Sequence, residues 1–246
     1  MPAYPSPGAP AAASSAAGPL RLPDGRTVYL VGTDPLLTRI GAEMGDAVDA
    51  VVGFWGDDWN RQIVIVATDT AAQFAVETRV GQGQFTDIAA ATVADGFDPA
   101  TRAVTGERIV FAPGAGAMSE PSLGIVVRHE LFHYAARADT AADAPRWLTE
   151  GVADYVGRPQ TPPTADPAIA ARLPSDSDFA GPGVSVAYDR AWLFARFVAD
   201  HYGRPALRRL YLLACGPGHP DAATAVSDVL GASVPDVLAQ WRQWLG

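Results

Sequence analysis

The sequence predicts an α+β fold in which strands and helices mix before residue ~138 and helices dominate after it. Three observations carry that reading. Short β-branched runs stand at Thr27–Val31 and Gln62–Ala67. Between and after them, apolar residues recur at helical spacing. Beyond Asp139, strand signals largely vanish.

The elements follow in order. Thr27–Val31 (TVYLV) reads as a strand. Asp34–Phe54 carries Leu36, Leu37, Ile40, Met44, Val48, Val51 and Val52 on one helical stripe. Gln62–Ala67 (QIVIVA) is a short buried strand and Thr70–Val80 a short helix. Asp87–Val93 and Arg108–Ala112 read as strands, with a turn at Asp95–Thr101 between them. Ser119–Ala138 is a long helix whose start is marked by Ser119, Glu120 and Pro121. Asp143 is the expected cap of a helix over Pro145–Val156, with Pro145 in its first position. Gly157–Gly183 is rich in Pro, Asp and Gly and reads as a long surface loop. Helices are expected at Val184–Tyr202, Arg204–Ala214, Ala222–Leu230 and Val234–Leu245. The division expected is a disordered Ala/Pro-rich tail (1–20), an α+β lobe (21–138) and a helical lobe of the same catalytic unit (139–246). Their junction is a natural place for a cleft.

Composition narrows the function. The chain has 246 residues, 48% hydrophobic and 18% charged, which is globular in character. No apolar run approaches the ~18 residues of a membrane span. The single Cys215 excludes an internal disulfide framework and a Cys-based zinc ribbon. A net charge of −9 disfavours a nucleic-acid partner, because an acidic surface repels phosphate. Residues 1–20 carry one Pro/Ala-rich stretch without a charged side chain and lack the pattern of a signal peptide. Such a tail suits an extracytoplasmic domain whose upstream signal or anchor has been removed.

The chemistry concentrates in His129-Glu130-Leu131-Phe132-His133, an H-E-x-x-H sequence. On a helix, residues four apart share a face, so both imidazoles can meet one metal ion. Glu130, one position round, can reach the water that the metal activates. Neutral nitrogen ligands, an open position and a carboxylate base are what a hydrolytic zinc site requires. A third ligand is available in Glu150, with sixteen residues separating it from the second His. That interval is enough to end one helix, turn and bring another alongside. Asp154 lies four residues further on the same face and can accept the N–H of a ligand imidazole.

HELFH followed by PRWLTEGVADYV resembles the gluzincin metallopeptidases, most closely the peptidase MA-like domains, in which an HExxH helix precedes a W-x-x-E-G-x-A segment. The resemblance is strongest over Arg108–Val156. It is weaker through 187–203 and 233–245. It implies a zincin-like fold, a twisted mixed sheet with an active-site helix followed by a helical lobe. It implies one Zn2+ on His129, His133 and Glu150, with Glu130 as general base. It also implies that Arg108–Ala112 is the edge strand along which an extended peptide pairs. The interval to Glu150 is shorter than in thermolysin-like and aminopeptidase-like members, so their substrate pockets do not transfer.

Asp139 occupies the place of a metzincin's third ligand, but Ala136 stands where that turn needs Gly, and no Met lies downstream for a Met-turn. An attacked carbonyl needs a donor for its developing charge. Tyr188 is the first choice for that role, ahead of Tyr155, Arg190 and His201. The expected function is a zinc-dependent metallopeptidase acting on a peptide or protein substrate. The alternative is a zincin-like module that binds zinc without turnover and serves partner recognition or regulation.

Overall fold

The computed structural model describes residues 18–32, 35–79, 88–98, 100–160, 172–180 and 183–246. Most of the tail reading, and the loop reading over 161–171 and 181–182, lie outside them.

The strands are β1 (Leu20–Arg21), β2 (Thr27–Val31), β3 (Gln62–Ala67), β4 (Ala90–Val93), β5 (Gly96–Asp98), β6 (Ala103–Thr105) and β7 (Arg108–Phe111). Five of them form a mixed sheet in the order β1-β2-β3-β7-β4. β2, β3 and β7 are parallel, while β1 and β4 close the two edges antiparallel. The period of two along a strand sorts their side chains. Ile63, Ile65, Ile109 and Phe111 join the main core, and Val66 and Val110 pack with Phe74 on the opposite face.

Two expectations are corrected here. Arg108–Phe111 is not an edge strand, since it lies between β3 and β4. The segment expected to be a turn, Asp95–Thr101, instead begins a hairpin of β5 and β6. That hairpin reverses the chain and folds β4 back on β7, with Thr92 paired to Ile109. β4 takes the edge.

The helices are α1 (Leu36–Trp55), α2 (Ala71–Thr78), α3 (Glu120–Ala136), α4 (Arg146–Gly157), α5 (Val184–Tyr202), α6 (Arg204–Cys215), α7 (Ala222–Leu230) and α8 (Val234–Leu245). α1 buries Leu36, Leu37, Ile40, Met44, Val48 and Val51, the stripe its spacing predicts. Ser119 caps α3 by accepting from the Ser122 N–H. Asp143 does not cap α4, and its side chain is 87% exposed. Pro145 holds the cap position, and the Arg146 N–H is satisfied by Asp176 from a 3₁₀ turn at Asp176–Phe179. Trp241 of α8 is fully buried with its ring edge-on to Phe194, and Trp244 packs on Phe197.

α4 lies close against neighbours on two sides, and glycine allows it. A Cβ on Gly151 would sit 2.4 Å from the Ala191 carbonyl oxygen of α5. A Cβ on Gly157 would sit 3.0 Å from the Ile125 oxygen of α3. One apolar cluster runs from Val28 to Trp241, so both halves of the chain share a core. Among the described residues, no single helix is long and apolar enough to cross a membrane.

Candidate metal centre

α3 and α4 run antiparallel. His133 faces Glu150, His129 faces Asp154, and the Arg128 side chain donates to the Gly157 oxygen. Helical periodicity puts His129 and His133 on the face of α3 that meets α4. The same periodicity aligns Glu150 with Asp154 on α4.

The three candidate ligands meet at one point. His129 Nε2 and His133 Nε2 are 3.1 Å apart, and Glu150 Oε2 lies 3.3 Å from the first and 3.5 Å from the second. Two donors each about 2.05 Å from a tetrahedral ion stand roughly 3.3 Å apart. The separations therefore fit a small divalent cation held by two imidazoles and a carboxylate. His129, His133 and Glu150 could hold such an ion, all three being only partly accessible.

The charge pattern agrees with that donor set. Burial acts to lower the His129 pKa, but hydrogen bonds to Asp154 and Glu150 outweigh it and hold the imidazole well above its ordinary value. Burial acts to raise Glu150, yet the two imidazoles depress its carboxyl far below the usual range. Both shifts favour a positive charge on His129 beside a negative charge on Glu150. A cation would take the place of that positive charge.

His129 Nδ1 is 2.9 Å from Asp154 Oδ1. A carboxylate can only accept, so Nδ1 carries a proton, and Nε2 is the nitrogen that would offer its lone pair to a bound ion. Asp154 is buried, and Arg158 pairs with its other oxygen at 2.7 Å and with Asp189 at 2.6 Å.

Glu130 points the other way round α3, toward the sheet. The Thr92 hydroxyl lies 2.7 Å from its Oε2 and 2.9 Å from its main-chain oxygen. Thr92 stands on edge strand β4. A cleft of about 510 Å³ opens there, lined by 90–94 along β4 and by Glu130, His133, Glu150 and Tyr188. The Tyr188 ring is 6.3 Å from the His129 ring and packs edge-on to Phe179. Burial, with the charge of Glu150, pushes its phenol upward, so it keeps its proton and can donate.

The remaining candidates sit elsewhere. Asp139 pairs with Arg102 and borders a separate cavity with Glu107 and Tyr134. Tyr155 packs on Phe54, and His201 stacks on Phe197. None of these lines the cleft. Thr92 was not singled out from sequence, because no local pattern tells which strand residue will meet α3. Arg158 did carry a signal, standing four residues after Asp154 on one helix face. No protein-family profile matches the chain, and no curated protein matches it.

Proposed function

We propose that the chain is a zinc-dependent metallopeptidase of gluzincin type with a zincin-like fold. The observation that carries this reading is the trio of donor separations, 3.1, 3.3 and 3.5 Å, with a buried carboxylate, Glu130, on the adjoining position of the same helix. His129, His133 and Glu150 would hold one Zn2+. The ion, when bound, supplies Lewis acidity toward water and a carbonyl oxygen.

The chain's own residues do the rest. Glu130 accepts a proton from the attacking water and returns it to the leaving amine. Thr92 holds one oxygen of that carboxylate, leaving the other for the reaction. Asp154 fixes the tautomer and orientation of His129. Tyr188 donates toward the oxygen that gains charge. Strand β4, on the sheet edge and along the cleft, pairs among the described residues with β7 alone, and its outer side would take an extended peptide.

The test is hydrolysis of a broad peptide library by the zinc-loaded chain and by Glu130→Gln. The expected result is turnover by the first and a loss of about 10³-fold or more in the second, with metal content unchanged. Equal activity in both would sink the mechanism.

A further inference from the structure

Setting aside Glu130, His133 and Glu150, the charged residues that line the cleft among the described residues are Arg79, Arg137 and Arg146. The chain as a whole has 27 acidic against 18 basic residues, so this stretch of surface runs against the global balance. Arg79 is exposed and paired with Asp95 at 2.9 Å. The other two are placed differently.

Arg137 stands four residues after His133, and Arg146 four residues before Glu150. One helical turn separates each from its ligand, about 6 Å along the axis. Because α3 and α4 are antiparallel, both displacements lead to the same end of the site. Two guanidinium groups thus border one end of the cleft, about one to two residues of extended chain from the ion site.

Among the described residues, neither guanidinium has an ion pair with a carboxylate other than Glu150. The Arg146 guanidinium comes within 3.8 Å of Glu150 Oε1, on the residue committed to the ion, while Asp176 meets the Arg146 main-chain N–H. The Arg146 guanidinium lies 4.9 Å over the Phe179 ring, which packs on Tyr188 and so holds the group at the cleft wall. Arg137 donates weakly to the Thr140 oxygen at 3.4 Å and lies 5.9 Å from the Phe97 ring. Glu107 is near enough to sense Arg137, but burial pushes its carboxyl up to about 8, so it stays largely neutral at pH 7.

We propose that this end of the cleft recognises a substrate carboxylate, with Arg137 and Arg146 as the specificity-determining pair. The proposal rests on the metallopeptidase reading and names acidic peptides as its substrate class. Guanidinium groups suit this role because their fork of donors matches a carboxylate. The carboxylate can come from an Asp or Glu side chain near the scissile bond or from a free chain terminus.

Equilibrium binding to the Glu130→Gln chain, measured by calorimetry with and without added zinc, separates these cases. Three peptides of equal length are compared: neutral with an amidated end, one internal Glu with an amidated end, and neutral with a free C-terminal carboxylate. At least one carboxylated peptide should bind about ten-fold tighter than the neutral one, and which one does so identifies the source. That preference should fall below about three-fold when Arg137→Gln and Arg146→Gln are added, and should survive Arg209→Gln on the exposed face of α6. Arg146→Gln alone, at a side chain 40% exposed, should lose part of the preference with an unchanged melting curve. Equal binding of all three peptides, no binding of any, or a preference that survives the double substitution overturns the proposal. If the preference holds while the wild-type chain turns over no peptide, the peptidase reading fails and carboxylate recognition stands.

Discussion

His129 Nδ1 and Asp154 Oδ1 are 2.9 Å apart, joining the first helix of the candidate metal centre to the second through a part-buried hydrogen bond. Arg158 steadies that carboxylate from behind. Replacing Asp154 with Ala frees the imidazole to rotate and to exchange tautomers. Zinc affinity, read by competition with a chromophoric chelator, should fall about 10- to 100-fold. An unchanged affinity would mean that Asp154 serves packing alone.

Metal content separates the proposed ligand Glu150 from its sequence rival Asp139. About one zinc per chain is expected by elemental mass spectrometry of tag-free protein. Glu150→Ala should lose it. Asp139→Ala should keep it, because Asp139 is tied to Arg102 and borders a different cavity. Loss with Asp139→Ala and retention with Glu150→Ala would reverse the assignment.

Thr92→Val tests how Glu130, the proposed base, is held. The substitution removes the hydroxyl 2.7 Å from Glu130 Oε2 without changing side-chain size much. Losing that hydrogen bond destabilises the charged carboxylate and loosens its position. The expected outcome is a kcat lower by about ten-fold, with zinc content unchanged. A kcat equal to wild type would leave Thr92 without a role.

Glu107 predicts a pH dependence of stability. Burial raises its folded-state pKa from 4.5 to about 8, against opposing effects of Arg137 and Asn60. The folded chain therefore binds this proton more tightly than the unfolded chain. Its contribution is fully present below pH 4.5, declines as pH rises, and is gone above about 8. Glu107→Gln, which cannot ionise, should unfold at nearly the wild-type denaturant midpoint at pH 5. At pH 8.5 it should be more stable, by an amount on the order of a few kcal/mol. A constant difference across that range would contradict the assignment.

Much of this arrangement is legible in sequence where the physics is local. His129 and His133 share a face because a helix turns every 3.6 residues, and Asp154 follows Glu150 by the same rule. Thr27–Val31 and Gln62–Ala67 are clear as strands because β-branched residues crowd a short run. What escapes notice is set by distant partners. Whether Arg108–Phe111 lies at the edge depends on where β4 folds, and the three-residue strands of the intervening hairpin have no pattern of their own. The start of α4 is completed by Asp176, thirty residues further along, so neighbouring Asp143 is a false cue.

The division of labour between helices and sheet has a consequence for how variants should be judged. All three candidate ligands come from one local helical hairpin, whereas the partner of Glu130 arrives on β4, 38 residues earlier in the chain. A short segment can close over an ion at small entropic cost, while seating β4 requires the sheet to assemble across long sequence separations. Damage to the sheet can therefore leave a chain that is fully metallated and inert. Zinc stoichiometry reports on the hairpin; only turnover reports on the assembled whole.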